Sequence, residues 1–307
     1  MRFVDGAEIR RLLSFPKLVA ALEEGHRRPP MEIADSFMGE EKALYLVRNA
    51  VDAGRLMGSK LVTSFPANIG GPLPAVQAVV VLFDGTDGRP LAVMDGTEIT
   101  YWRTAADSAL AARYLAPKRP ETLLVVGAGE MSRWLARAHR SVRPSLKRVL
   151  VWNRTAERAE AVAAELRREG AAAEAVSDLD SAIGAAEVIS CCTRTHRPLV
   201  QGRLLRPGTH LDLVGGYTAK HREADDDAVR RARVFVDRRE TAGDTADIID
   251  PLKNGTLAKD GIAGDLHAIV DGRAGRRSEE EITLFKNGGG AHLDLMTAAL
   301  VWRELHG

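Results

Sequence analysis

The sequence predicts an α/β protein in which a doubly wound parallel sheet follows a smaller α+β domain. Three observations predict it. Residues 43–93 hold closely spaced apolar runs cut by glycines. From residue 122 the texture alternates between strand and helix. A glycine turn, Gly127-Ala128-Gly129, stands where the first of those later strands gives way to a helix. A chain of 307 residues has room for about two domains and for a core that needs no disulfide or metal staple.

Asp5 followed by Glu8 reads as a capping box before a short helix, and Ser14 with Pro16 opens a second, LVAALEEGHRR. The runs ALYLVRN, SKLVTSF, AVQAVVVLF and LAVMD are rich in β-branched and apolar residues. Gly54, Gly58, Gly70-Gly71-Pro72, Gly85 and Gly88 punctuate them, and DGTDGRP (84–90) reads as a hairpin turn. An antiparallel sheet with helices before it is the expectation. Residues 97–115 are helical by their Ala and Leu content and apolar spacing, and APKRPE (116–121) is a proline-bearing boundary. The first domain is therefore 1–116 and the second 117–287.

In the second domain TLLVVGAG is a strand and EMSRWLARAHRSV a helix. KRVLVWNR is a strand, and TAERAEAVAAELRREG is a helix stopped by Gly170. AAEVISCC and GTHLDLVG are further strands, DDAVRRA a short helix, RVFVD a strand, and GGGAHLDLMTAALVWREL the closing helix. Such alternation builds parallel strands with helices on both faces.

Composition excludes several classes. Lys+Arg number 43 against Asp+Glu 42, a net charge of +1, without the basic excess of a nucleic-acid protein. No apolar stretch reaches the ~18 residues of a membrane span, and MRFVDGAEIRRLL lacks the apolar core of a signal peptide. The two cysteines, Cys191 and Cys192, are adjacent and have neither bridging geometry nor metal-ligand spacing, so they read as core residues. His26, His139 and His196 show no ligand spacing either, and no metal is expected. A cytoplasmic enzyme with reduced thiols is the natural reading. The charge run Arg222–Asp227 reads as a solvated helix start, and the apolar strand Val76–Phe83 as part of a buried dimer sheet.

The glycine turn carries the first chemical signal. Gly127, Gly129 and Ser132, with Glu130 and Met131 between, form a G-x-G-x-x-G pattern with Ser in the third place. The first glycine permits a tight turn, the second lets backbone approach a pyrophosphate, and the small third residue permits close helix–strand contact. This marks a Rossmann dinucleotide site. The next strand ends in Asn153-Arg154-Thr155, where an NAD site usually has an acidic residue for the ribose hydroxyls. A cation there suits a 2′-phosphate, so NADPH is favoured, with NADH as the alternative.

Three cations in the first domain stand in unusual settings: Arg48 ends a strand run, Lys60 interrupts one, and Arg103 lies among small residues in WRTAADSA. Each alone reads first as a surface cation; together they could clamp a carboxylate.

Read together, GSKLVTSFPANIGGPLPAVQAVVVLFDGTDGRPLAVMDGTEITYWRTAADSALAARYLA, VVGAGEM, VWNRT, HLDLVGGYTAKHREADDDAVRRARVFVD, GDL and EITLFKNGGGAHLDLMTAALV resemble the ornithine cyclodeaminase/μ-crystallin family, in order and over nearly the whole chain. The resemblance implies a homodimer whose N-terminal domain binds substrate, followed by a Rossmann domain, with 288–307 returning to complete the first. It implies that Arg48 and Lys60 hold the substrate carboxylate, and that Arg103 with Thr104 sits at the cofactor phosphates beside the substrate. Thr193, Val214, Gly215 and Asn287 match further cofactor-lining positions. His292 and Asp294 match places near the nicotinamide, although capping or core packing explains Asp294 equally well.

One departure carries weight. Where the cyclodeaminase branch has a proton-moving Asp after the Gly-Gly of the LVGG strand, this chain has Tyr217, and Asp212 lies five residues earlier inside the strand. A phenol with pKa near ~10 is a poor base at neutral pH. The segment resembles the family's imine-reducing branch instead, although Lys220 and His221 depart from that run. The implied activity is NAD(P)H-dependent reduction of a cyclic ketimine carboxylate, Δ1-pyrroline-2-carboxylate or Δ1-piperideine-2-carboxylate, with Lys60 and Arg48 as catalytic residues. Ornithine cyclodeamination, an alanine dehydrogenase-like reaction and non-enzymatic binding are the alternatives.

Overall fold

The computed structural model describes every residue except Glu41, Ile69, Gly70, Tyr217, Asp244 and Gly307. A short strand, β1 (Arg2–Val4), leads into α1 (Gly6–Leu12). Asp5 caps that helix by accepting from the Glu8 amide at 2.8 Å. The other half of the expected box differs, since the Glu8 carboxylate pairs with Arg2. α2 (Phe15–His26) begins with Pro16 in its first turn, where a missing amide hydrogen costs nothing.

Five strands follow: β2 (Glu32–Glu40), β3 (Ala43–Asp52), β4 (Leu56–Ser64), β5 (Val76–Asp84) and β6 (Pro90–Asp95). The sheet order is β1-β6-β5-β4-β3-β2. β2 to β6 pair antiparallel in sequence order, while β1 joins β6 in parallel. Then comes α3 (Gly96–Leu115).

After α3 the elements alternate. They are β7 (Thr122–Val126), α4 (Glu130–Val142), β8 (Arg148–Trp152), α5 (Ala156–Arg168), β9 (Ala172–Val176), α6 (Leu179–Ala185), β10 (Val188–Cys191) and β11 (His210–Leu213). α7 (Asp226–Arg231), β12 (Ala232–Val236), α8 (Arg239–Ala242), α9 (Ala246–Lys253), β13 (Ile262–Gly264), α10 (Leu266–Val270), β14 (Ile282–Lys286) and α11 (Ala291–Glu304) complete the chain. Strands β7 to β14 form one sheet of order β13-β12-β14-β11-β10-β7-β8-β9, and every neighbouring pair is parallel. The winding reverses between β7 and β10, the topological switch point where doubly wound sheets bind ligands.

The chain divides into two compact units, Met1–Thr104 with Gly290–Gly307, and Ala105–Gly289. The division falls within α3.

In the second unit, alternation along β7 sends Leu123 and Val125 to one face and Leu124 and Val126 to the other. Each pair joins its own buried cluster. Burial on both faces is why these strands read as continuous apolar runs. In the first unit α11 is buried on almost every side, from Ala291 to Ala298 and again at Leu300 and Val301. It packs closely on α2: a Cβ on Gly25 would lie 2.5 Å from Met296 Sδ.

Candidate active site

In the second unit β7 runs straight into the glycine turn. Gly127 has φ +116°, in the region that favours glycine, and its amide donates to Trp152 O at 2.8 Å. A Cβ there would meet Cys192 O, Cys192 Sγ and Thr193 Cγ2, each at 3.1 Å. Gly129 is the N-cap of α4, and among the described residues no atom beyond its chain neighbours lies within 4 Å of where its Cβ would stand. Ser132 is buried and its Oγ donates to Gly129 O at 2.6 Å. The turn thus combines a tight bend, a small buried third residue and open space before the N-terminus of a 13-residue helix. These features fit a dinucleotide pyrophosphate. Glu130 and Met131 begin α4; Glu130 is exposed, 3.5 Å from Arg133.

At the end of β8, Asn153 Nδ2 donates to Thr155 O at 3.0 Å, and Thr155 is the N-cap of α5. Arg154 between them is exposed and has no ion pair among the described residues.

Asn287, just past β14, donates to Ser108 Oγ at 3.0 Å, and that hydroxyl donates to Asp212 Oδ1 at 2.8 Å. Asp212 Oδ2 accepts from Ser190 Oγ at 2.6 Å and contacts His139 Nε2 at 3.1 Å. Asp212 and His139 are fully buried, so they form an internal brace rather than a base open to ligand.

The reading of Arg222–Asp227 as a solvated helix start is corrected at Glu223 and Ala224, which are buried. Asp225 caps α7 and Asp226 pairs outside with Arg222, but Glu223 is fully buried. It holds Thr193 and Gly215, two of the residues matched to cofactor-lining positions. Val214, between Leu213 and Gly215, is buried as well. Tyr217 lies outside the described residues. Cys191 and Cys192 are free thiols whose pKa values burial pushes up.

In the first unit the strand register assembles the cationic residues. Asp35 on β2 lies opposite Arg48 on β3, and Arg48 lies opposite Lys60 on β4. Arg48 Nη2 is 2.9 Å from Asp35 Oδ2. Lys60 Nζ donates to Asp294 Oδ1 on α11 at 2.8 Å and to Thr100 Oγ1 on α3 at 3.2 Å. Arg103 Nε lies 3.1 Å from the same Asp294 oxygen. Lys60 and Arg103 are 3% and 7% exposed, which corrects the surface-cation reading of both. Thr104 follows Arg103, also buried. The N-cap of α11 is Gly290, so capping does not account for Asp294. His292, two residues before Asp294, is buried with its ring edge-on to His26 at 5.6 Å.

The electrostatics follow from burial and neighbours. Burial drives the Lys60 pKa down to about 7; Asp294 opposes this, while Arg103 and Arg48 add to it. Burial also works against ionisation of Asp294, but the charges of Lys60, Arg103 and Arg48 outweigh it and hold the carboxyl below its usual range. Three cations against the two carboxylates of Asp294 and Asp35 leave an excess of positive charge suited to a small anion.

Sequence reasoning missed Asp35, Glu223, Asp247 and Lys286. The last two form an ion pair of 3.0 Å with both side chains buried. Among the described residues there is no group of three or more potential metal ligands, and no helix long and apolar enough to cross a membrane.

The chain is 40% identical over 308 residues to the Delta(1)-pyrroline-2-carboxylate reductase of Paracoccus denitrificans, covering 100% of this chain and 98% of that one. The Thermococcus litoralis Delta(1)-pyrroline-2-carboxylate reductase, solved with NADH and L-proline, superposes with a TM-score of 0.94 at 29% identity, covering 99% and 97% of the two chains. An archaeal alanine dehydrogenase dimer with bound NAD gives a TM-score of 0.92 at 26% identity, covering 99% and 95%. The sequence pattern of the ornithine cyclodeaminase/mu-crystallin family matches residues 17–307, and the chain belongs to that family.

Proposed function

We propose that this chain reduces a cyclic ketimine carboxylate, Δ1-pyrroline-2-carboxylate or Δ1-piperideine-2-carboxylate, to L-proline or L-pipecolate with NAD(P)H. The observation that carries this reading is the buried cluster of Lys60 and Arg103 on Asp294, with Arg48 opposite Lys60 on the neighbouring strand, in a chain that also has a dinucleotide-type glycine turn. The 40% full-length identity to a reductase of this kind supports the same substrate class.

Arg48 and Lys60 bind the substrate carboxylate, Arg48 through a planar fork already oriented by Asp35. Lys60 also holds a proton near the imine nitrogen, a role suited to an ammonium whose pKa is brought to about 7. Gly127, Gly129, Glu130, Met131, Asn153, Thr155, Thr193, Val214, Gly215 and Asn287 hold the dinucleotide, with Arg103 and Thr104 at its phosphates. The cofactor, when bound, supplies the hydride. Because a protonated imine is already electrophilic, the protein's contribution is positioning and a tuned field. Elimination of ammonia asks for a base that Tyr217 does not supply, so cyclodeamination is disfavoured.

Arg154 selects NADPH: it is exposed and unpaired among the described residues, free to meet a 2′-phosphate. Residues 1–116 with 288–307 form the substrate and dimerisation part, and 117–287 the dinucleotide part. The active form is a cytoplasmic homodimer.

The test follows absorbance at 340 nm with purified protein, each imine, and NADPH or NADH. Rapid NADPH loss with a cyclic imine is expected, with Arg154→Ala reducing the preference over NADH by about tenfold. Ornithine and pyruvate plus ammonia are the controls. Turnover with either control and none with the imines overturns the reading.

A further inference from the structure

Glu223 stands in the segment between β11 and α7, inside the second unit. Its Oε1 accepts from the Thr193 amide at 2.7 Å and from Thr193 Oγ1 at 2.9 Å. Its Oε2 accepts from the Gly215 amide at 2.7 Å and the Gly216 amide at 3.3 Å. One side chain therefore fastens the segment leaving β10 to the segment leaving β11, at the carboxyl ends of adjacent parallel strands. The fastened segments touch: a Cβ on Gly215 would lie 2.0 Å from Thr193 O. The Gly127 turn packs on the same place, its Cβ position 3.1 Å from Thr193 Cγ2.

Glu223 is itself held from behind. Its amide donates to Asp247 Oδ1 at 2.8 Å, and Asp247 Oδ2 receives Lys286 Nζ at 3.0 Å. Among the described residues, the four groups that hydrogen-bond the Glu223 carboxylate are all donors. An ionised carboxylate satisfies all four, whereas a protonated one sets its own donor against them.

We propose that Glu223 is a positioning residue of the dinucleotide site: ionised, it clasps the Thr193 and Gly215–Gly216 segments in the shape the cofactor meets, and protonated it releases them, so that cofactor affinity is coupled to a proton. This rests on the reading above that Thr193, Val214 and Gly215 line the cofactor.

The surroundings bring the proton into a useful range. Burial pushes the Glu223 carboxyl up to about 7; Lys286 on β14 opposes this, Asp247 on α9 adds to it, and the Thr193 bonds oppose it. Cys191 and Cys192, at the end of β10, face it as neutral thiols. The proton is bound in the released form, so affinity is full above about pH 7 and declines as pH falls through that value. By linkage the slope cannot exceed about tenfold per pH unit for one proton.

The experiment titrates NADH by fluorescence from pH 5.5 to 8.5, in wild type and Glu223→Gln, well below each protein's Tm. NADH is used because a 2′-phosphate would itself titrate. Wild-type Kd is expected to weaken by about fivefold or more between pH 8 and pH 6. Glu223→Gln is expected to bind about tenfold more weakly at pH 8, with a flat pH curve. A wild-type Kd that is flat with pH overturns the proposal while leaving the dinucleotide site standing. Equal Kd values in the two proteins do the same, even if Glu223→Gln melts lower. Should that variant fail to fold, the wild-type curve alone decides. No NADH binding at any pH overturns the proposal and the dinucleotide reading together.

Discussion

Lys60 Nζ and Asp294 Oδ1 meet at 2.8 Å with both side chains almost wholly buried, although 234 residues separate them in sequence. Asp294 is the anionic partner of Lys60 and lies as close to Arg103 as an ion pair requires. A helix at the end of the chain thus sets the charge of a residue in the middle of a sheet. Removing Asp294 leaves Lys60 buried without its counter-charge, whereas removing Lys60 leaves Asp294 beside Arg103.

The pair therefore has a pH signature. Lys60, with a pKa near 7, carries its charge at lower pH and loses it as pH rises through that value. The inhibition constant for L-proline, whose carboxylate stays ionised, should rise with pH between 6 and 9. Lys60→Arg should flatten that curve, because guanidinium does not titrate there. Asp294→Asn should shift the rise to lower pH, since burial, Arg103 and Arg48 then act on Lys60 unopposed. Lys60→Ala should lower kcat/KM by at least ~10²-fold. Near-wild-type kcat/KM in Lys60→Ala would remove Lys60 from the mechanism, whereas an unmoved curve in Asp294→Asn would remove only Asp294.

Two glycines near the dinucleotide-type turn should separate folding from binding. Gly129→Ala places its Cβ where, among the described residues, no atom beyond its chain neighbours lies within 4 Å, at an ordinary φ of −88°. It should fold with wild-type Tm yet bind NADH about tenfold or more weakly, because the methyl stands where a pyrophosphate approaches. Gly215→Ala drives its Cβ to 2.0 Å from Thr193 O and 2.2 Å from Thr193 N. Backbone cannot step aside, so it should cost about 3 kcal/mol or more of stability. Thermal melts with NADH titrations check both; a Gly129→Ala variant with unchanged Kd would place the cofactor elsewhere.

The second unit was largely legible because its signals are local. The EMSRWLARAHRSV segment is the observed α4, and the glycine turn before it has the conformation its residues require. β9 and α6 escaped notice because AAEAV is alanine-rich and LDSAIGA is too short to show a period. β2 was hidden because EIADSFMGE is an almost wholly exposed edge strand with no apolar alternation. Site residues were harder. The run Arg222–Asp227 gives no local sign that Glu223, alone among its charged residues, is fully buried. Lys60 and Arg103 look like surface cations until Asp294 arrives from far along the chain.

The sheet of the first unit leads to a last prediction. Its register aligns Val47, Leu61 and Val79 in one row and Met38 with Tyr45 in the next row on the same side. Lys60 and Val80, in the row on the other flank of Val47, Leu61 and Val79, point to the opposite side and are buried. Val79, Tyr45 and Met38 are 37%, 36% and 49% exposed, so this apolar side is only partly covered by the chain's own atoms. A second copy with its own such face would cover it symmetrically, and each residue would then occur twice in the interface. The wild-type protein should sediment as a dimer. Val79→Lys should raise the dimer dissociation constant by about a hundredfold or more, because two ammonium groups would be forced into one apolar contact. Since Val79 points away from Lys60, the variant's second unit should still bind NADH with unchanged affinity. A wild-type protein that sediments as a monomer at micromolar concentration would exclude this interface.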